Sequence, residues 1–358
     1  MGLFVVGVSH RTAPLPIREK LYVSESRASE LLQALLLKGY LEEGVILSTC
    51  NRFEVYGAMT ALEESLVGLE HYFCERKGLR PTELEGRWYA YSQEKAVRHL
   101  FHVASGLDSM ILGETEIQGQ VKNAYEKAKA SGFTGILTNR IFEKALNAAK
   151  AVREQTGMSQ GKSSIGSYAV EVSKKIFGET LPSKKLLVLG AGKIGKLVSR
   201  HFFSSRLTDI TVVSRSYDHA DQLAASLGGK AIPWSGLHAV LPQCDIVVSS
   251  TKCPRILLHA ETVKEALVHR HGDPVFFIDL SVPRNIDPHV NQLLHAYLYH
   301  LDDLERMVAS GLGARHVELK QSEKILEQKV HHFTKWLNEM PGEMDDKNSL
   351  IFRSLLAS

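Results

Sequence analysis

Cysteine is scarce in this 358-residue chain: four residues, Cys50, Cys74, Cys244 and Cys253, with no CxxC pair and no Cys/His metal spacing. That excludes a disulfide scaffold and a zinc module. No metal site is visible, and thiols kept reduced in a cytoplasmic compartment are expected. An excess of one charge is also lacking. The 43 Lys+Arg and 40 Asp+Glu leave +3, too little to announce a nucleic-acid binder, although a local basic face stays open. No apolar run reaches the length of a membrane span, so no membrane partner is expected. Met1 to Val8 lacks a basic leader and a cleavage site and reads as mature sequence. Val6 stands where a myristoylation motif needs Ser or Thr. There is no internal repeat.

What is present is a globular composition, 44% hydrophobic and 23% charged, in a chain too long for one ordinary core. The patterning predicts a multidomain α/β protein with three zones. Residues 1–155 mix short strands (3–8, 45–48, 53–59, 88–91) with amphipathic helices, one capped by Ser24 and ended by Gly39, another ended by Gly78. From Gln93 to Arg153 the pattern is mostly helical, broken at Gly106, Gly113 and Gly132. This is an α+β unit with a helical connector. Residues 156–300 alternate strand and helix, as a doubly wound parallel sheet requires. Residues 301–358 carry an apolar stripe, Leu319, Leu326, Val330, Phe333 and Leu337, on a long helix that Pro341-Gly342 ends. Ser310-Gly311-Leu312-Gly313 interrupts its early part, where Gly is costly.

Three segments carry chemistry. In LLVLGAGKIGKLVSR (186–200) an apolar strand runs through Gly190-Ala191-Gly192-Lys193-Ile194-Gly195 into a helix, the context a dinucleotide fingerprint needs. Gly190 permits the turn, Gly192 the approach of backbone to a pyrophosphate, and Gly195 close helix–strand packing, while the helix N-terminus offers N–H groups to phosphate. The next strand ends in Ser214-Arg215-Ser216, without the acid that binds an NAD ribose. A guanidinium between two hydroxyls suits a 2′-phosphate, which favours NADPH; a solvated loop cation is the plainer reading of Arg215.

In GVILSTCNRFEVY (44–56) one strand runs into Ser48-Thr49-Cys50-Asn51-Arg52 and another leaves it, so Cys50 sits on a bend. Taken alone, a buried structural cysteine is the simpler reading. A reductase module downstream changes the weighting. Arg52 would lower the thiol pKa or bind a substrate carboxylate. A thiol nucleophile with a hydride donor points to acyl transfer onto Cys50 and reduction of the thioester to an aldehyde. The segment 92–126 adds His99 as acid/base candidate, with Ser109, Glu114 and Gln120 in a Gly-punctuated stretch. The plainer readings are a satisfied helix histidine, and caps or solvated polar groups.

Taken together, GVSHRTAPLPIREKL (7–21), LSTCNRFEVY (47–56), HLFHVASGLDSMILGETEIQGQVKNAY (99–125), VLGAGKIGKLVSRH (188–201), VVSSTKCP (247–254) and FFIDLSVPRNIDP (276–288) resemble the glutamyl-tRNA reductases. The resemblance implies NADPH-dependent reduction of glutamyl-tRNA to glutamate-1-semialdehyde, on the way to 5-aminolevulinate and tetrapyrroles. It makes Cys50 the nucleophile and His99 a residue important for activity. Thr49, Asn51 and Arg52, with Ser109, Glu114, Thr115, Glu116 and Gln120, match substrate-binding positions, and Gly190 to Gly195 the cofactor loop. It further implies a spinal helix, a homodimer built on C-terminal helices, and hand-off of the aldehyde to an aminomutase. Three departures stand out. Phe53 replaces the usual Thr, Thr115-Glu116 replaces Pro-Gln, and the stretch after Trp336 is shorter than the family's dimerisation segment. The competing readings are a shikimate-dehydrogenase-like NADP oxidoreductase and a non-catalytic paralogue that binds tRNA or a pathway partner.

Overall fold

The computed structural model describes residues 1–110, 112–114, 116–156, 165–270, 272–310 and 316–339. The chain divides into two compact units: unit 1, Met1–Gly161 with Gly313–Ser358, and unit 2, Lys162–Leu312.

Unit 1 begins with β1 (Gly2–Ser9), α1 (Leu15–Leu21), α2 (Glu25–Leu37), β2 (Glu43–Ser48), β3 (Arg52–Met59), α3 (Leu62–Lys77), α4 (Pro81–Leu84) and β4 (Tyr89–Ser92). The helices α5 (Gln93–Ala104), α6 (Glu116–Ala130) and α7 (Ile136–Thr156) follow. The four strands form an antiparallel sheet in the order β2-β3-β1-β4. Side chains of a strand alternate between faces, so Arg52, Glu54 and Tyr56 of β3 share one face. Gly106, Gly113 and Gly132 have positive φ (72°, 77° and 73°), which is why the helical zone breaks there. Ser24 stands at the N-cap of α2, but its hydroxyl pairs with Ser26 Oγ at 3.1 Å rather than capping the helix. α1 was not evident in the sequence because Pro14 and Pro16 punctuate its start; proline is tolerated there since the first helical N–H groups have no partner.

Unit 1 also holds α14 (His316–Glu339), whose stripe packs on α5 and α7. Leu326, Val330 and Phe333 are buried in the unit's core, each contributing about 1.5–3 kcal/mol of apolar burial. Polar pairs flank the stripe: His102 Nε2 meets Glu323 Oε2 at 2.8 Å, Arg98 pairs with Glu327, and the Arg140 guanidinium lies 4.6 Å from the Trp336 ring centre. The expected C-terminal zone is therefore not one body. α13 (Leu301–Ser310) packs in unit 2 on α8, whereas the apolar stripe commits α14 to unit 1. The Gly311–Gly313 interruption, Pro341-Gly342 and the tail beyond lie outside the described residues.

Unit 2 contains α8 (Ile165–Phe177), β5 (Lys185–Leu189), α9 (Lys193–Ser204), β6 (Asp209–Val213), α10 (Tyr217–Ala225), β7 (Lys230–Ile232), α11 (Leu237–Val240), β8 (Ile246–Ser249), α12 (Ala260–Val268), β9 (Val275–Asp279) and β10 (Ala296–His300). The six strands are parallel in the order β10-β9-β8-β5-β6-β7. The chain winds outward from β5 in both directions, so β5 and β8 flank the topological switch point where doubly wound sheets bind ligands. β7 and β10 were not foreseen: the former has three residues, and the latter, AYLYH, is an edge strand with only alternate residues buried.

One buried carboxylate holds unit 1 together without any local signal. Glu43, 4% exposed, accepts the N–H groups of Gly135 (2.6 Å), Leu137 (3.3 Å) and Thr138 (3.0 Å) and the Thr138 hydroxyl (2.5 Å) at the start of α7. A Cβ at Gly135 would stand 2.7 Å from Glu43 Oε2, so glycine is needed for that approach. Glu43→Ala should cost about 3 kcal/mol by stranding these donors. Native-state hydrogen exchange of Gly135, Leu137 and Thr138 provides the check, and unaltered protection in the variant would refute the account.

Candidate active site

The bend between β2 and β3 is closed by its own backbone. Thr49 N–H donates to Arg52 O at 2.8 Å, and Thr49 Oγ1 accepts the N–H groups of Asn51 and Arg52, each at 3.2 Å. Cys50 is half-buried at the apex. Arg18 of α1, 2% exposed, braces this apex from behind: its Nη1 donates to Cys50 O at 2.5 Å and reaches Asn51 Oδ1 at 3.5 Å, while Nε donates to Ala13 O. Val23 N–H bonds Ser48 Oγ at 3.0 Å, and His10 N–H bonds Asn51 O at 2.7 Å. The phenol of neighbouring Tyr22 is raised by burial first, and by Glu25 and Cys50 after it. Arg18, Tyr22 and His10 lie in the 7–22 stretch, but in the sequence nothing assigns them to Cys50, about 30 to 40 positions away.

Arg52 is 1% exposed and its guanidinium is engaged on two sides. Nη1 donates to Glu54 Oε1 at 2.8 Å, and Nη2 to Asp108 O at 2.6 Å and Asp108 Oδ2 at 3.0 Å. Only Nε is left, buried and without a hydrogen-bond partner. Asp108 also pairs with Arg11 at 3.1 Å. Glu54, fully buried, further accepts Tyr89 OH (2.5 Å) and His99 Nε2 (2.7 Å) on Oε1, and Tyr56 OH (2.7 Å) on Oε2. Burial alone would raise its carboxyl, but Arg52 and then His99 outweigh this and hold it well below the usual range. An ionised Glu54 only accepts, so His99 Nε2 carries a proton and Nδ1 is the basic nitrogen of the neutral ring. The rings of Tyr56, Tyr89 and Tyr91 surround that imidazole.

The structure thus joins Thr49, Asn51, Arg52 and His99 through one network. Ser109 is 4% exposed and hydrogen-bonded to Glu114, whose carboxyl is raised by burial first, against that hydrogen bond, and further by Glu116. Glu116, exposed, opens α6, and Gln120 lies half-buried one turn on. Thr115 lies outside the described residues.

In unit 2, Gly190 has φ 102°, donates its N–H to Val213 O at 2.7 Å, and would place a Cβ 2.3 Å from Ser250 O. A Cβ on Gly195 would meet Gly190 O at 2.4 Å. Exposed Gly192 faces open space instead, with Ser250 O 4.0 Å from its would-be Cβ, and no side chain caps α9. That loop fits a pyrophosphate against the N–H groups of Lys193 and Ile194. Ala191 is half-buried in the turn; at the end of β6, Ser214 and Ser216 are half-buried and Arg215 exposed.

His10 lies against the same bend through its backbone N–H. Its Nδ1 is buried without a partner, and burial, then Arg52, lowers its pKa to about 3 from 6.5. Because the folded value lies below the unfolded one, stability linked to this ring is present above pH 6.5 and lost as pH falls towards 3. NMR of the His10 ring should show no titration between about pH 5 and 8, where exposed histidines titrate. A midpoint inside that window would refute the burial argument.

Comparison with known proteins agrees with this geometry. The family model for the N-terminal domain of glutamyl-tRNA-Glu reductase matches residues 6–156, and that for shikimate/quinate 5-dehydrogenase matches residues 171–307. The glutamyl-tRNA reductases of Citrifermentans bemidjiense and Geobacter metallireducens are each 39% identical, over 95% of this chain and 78% of theirs. The solved glutamyl-tRNA reductase of Methanopyrus kandleri superposes with a TM-score of 0.51 at 32% identity, covering 94% of this chain and 80% of its own. A Cys50 bend braced by Arg18 and a doubly wound dinucleotide unit, in a chain alike over nearly its whole length, place it in the glutamyl-tRNA reductase family.

Proposed function

We propose that Cys50 is the nucleophile by which this enzyme reduces glutamyl-tRNA, and that NADPH is the nicotinamide cofactor it uses. The observation that carries the reading is the half-buried Cys50 at a bend whose carbonyl, neighbours and flanking strands are all tethered. The Cys50 thiolate attacks the ester carbonyl joining glutamate to the terminal ribose; a C–S bond forms, the C–O bond breaks and the ribose oxygen leaves with a proton. His99 Nδ1, oriented by the Nε2–Glu54 hydrogen bond, takes the proton of the Cys50 thiol and gives it to that oxygen. Thr49, Asn51 and Arg52 hold the glutamyl group, with Ser109, Glu114, Thr115, Glu116 and Gln120 completing its site. Since both Nη atoms of Arg52 are engaged, Nε is the donor it retains for a carboxylate. NADPH, when bound, supplies the hydride that turns the Cys50 thioester into an aldehyde with release of the Cys50 thiolate.

Gly190 to Gly195 would seat the pyrophosphate, and Ser214, Arg215 and Ser216 the 2′-phosphate. The thiol must remain reduced, which supports a cytoplasmic location. Among the described residues no helix is long and apolar enough to cross a membrane. The α-amino aldehyde product is labile, which favours hand-off to an aminomutase; a homodimer formed through the C-terminal helices belongs to the same reading.

Cys50→Ser should abolish NADPH oxidation on glutamyl-tRNA while leaving NADPH binding by calorimetry unchanged; full turnover in that variant would sink the mechanism. Arg215→Ala should weaken NADPH about tenfold and NADH far less, a loss of one charge-assisted contact. Equal effects on the two cofactors would assign Arg215 to the solvated surface.

A further inference from the structure

The loops that follow β8 and β9 carry a second buried polar network. Asn285 is fully buried, and its amide is spent in every direction. Nδ2 donates to Cys253 O and Arg255 O, both at 2.9 Å; Oδ1 accepts Thr251 Oγ1 at 2.5 Å and, more weakly, Ser249 Oγ at 3.4 Å. Thr251 Oγ1 in turn accepts Cys253 N–H at 3.0 Å, and Thr251 N–H donates to Ser281 Oγ at 3.1 Å. Asn285 is itself held from below, because Asp279, 1% exposed, accepts the N–H groups of Ser281 (3.0 Å), Asn285 (2.7 Å) and Ile286 (2.8 Å). Its carbonyl takes the N–H groups of Leu257 and Leu258.

This network stands at the switch point. Ser250 N–H bonds Leu189 O at 2.8 Å, and Ser250 O is the atom that a Cβ on Gly190 would strike. The 250–255 loop therefore abuts the pyrophosphate turn on the side away from β6. If the 2′-phosphate half of a dinucleotide lies over Ser214–Ser216, its other half runs across the ends of β8 and β9. There the chain presents half-buried Ser250, Thr251 and Cys253, and no free loop: each turn is tied by Asn285.

We propose that Asn285, with Thr251 as its partner, is a positioning residue for the nicotinamide end of the cofactor, fixing the 250–255 loop as a preformed seat. The inference rests on the NADPH reading and deepens it. The nicotinamide ring carries a carboxamide, which a rigid edge of backbone and hydroxyl groups recognises at low entropic cost. Asn285 touches no reacting atom; it acts through the loop.

The test compares NADPH with 2′-phospho-ADP-ribose, which keeps the adenosine and pyrophosphate half but lacks nicotinamide, by calorimetry on the full chain. Asn285→Ala, and the isosteric Thr251→Val should the first variant fold poorly, are expected to weaken NADPH about tenfold and 2′-phospho-ADP-ribose less than about twofold. Hydride transfer to preformed thioester should slow by about tenfold or more, while release of tRNA without cofactor keeps its rate. Equal weakening of both ligands would mean general collapse of the unit and overturn the proposal, as would unchanged NADPH affinity and hydride transfer. Failure of the wild-type chain to release tRNA would count against the thioester reading alone, since the two-ligand comparison still decides the role of Asn285.

Discussion

The ion pair between Arg52 and Glu54 is the constraint around which unit 1 is arranged. Both side chains are out of water, at 1% and 0% exposure, and each ion taken out of water costs several kcal/mol. Such a pair persists when most of the remaining donors and acceptors are met, and here Arg52 Nε is the one that goes without a partner. Glu54 meets this with three donors on Oε1 and one on Oε2; Arg52 meets it with Asp108 as well. The partners outside β3 come from β4, α5 and the turn after α5, so one residue pair on β3 binds three other parts of the chain. Cys50 stands two residues before Arg52. Its bend therefore inherits its position from the pair on one side and from Arg18 on the other.

Unit 2 solves a different problem with neutral groups. The seat proposed for an anionic cofactor is built of backbone N–H groups and glycine turns rather than a buried charge, because backbone dipoles need no desolvated partner. Polar side chains under the sheet's C-terminal edge, Asp279, Asn285, Ser249 and Ser281, have a supporting role. They set the loops, and the loops set the surface. Burial raises the Asp279 carboxyl to about 6 even against its three N–H donors, a sign of how dry that edge is.

Short-range features were legible in the chain. Glycines at 39, 78, 106 and 132 follow real helix ends and Gly113 lies in the turn before α6, each with positive φ, and the strand–turn–helix at 186–200 stands where its pattern predicts. Cys50 falls on the bend expected of it. The stripe from Leu319 to Leu337 is a true buried face, yet its period does not say which unit it covers. Ser24 shows the limit of local rules: a residue of the right type at an N-cap finds Ser26 nearer. Arg52 illustrates the other limit. Its type suits a substrate carboxylate, and only the fold reveals that two of its three nitrogens are already taken.

What the sequence determined by itself are the properties set within one element or one turn. These are the period of each helix and strand, the glycine-rich turn before α9, the absence of an acid after β6, and a cysteine between two strands. What only the tertiary structure decided are the pairings across long separations: Arg18 with Cys50, Glu43 with the start of α7, Glu54 with His99, and Asn285 with Thr251. The physical reason is the same in each case. A buried polar group must find its partner wherever the fold brings one, and residue type alone carries no address for a partner 30 to 95 positions away.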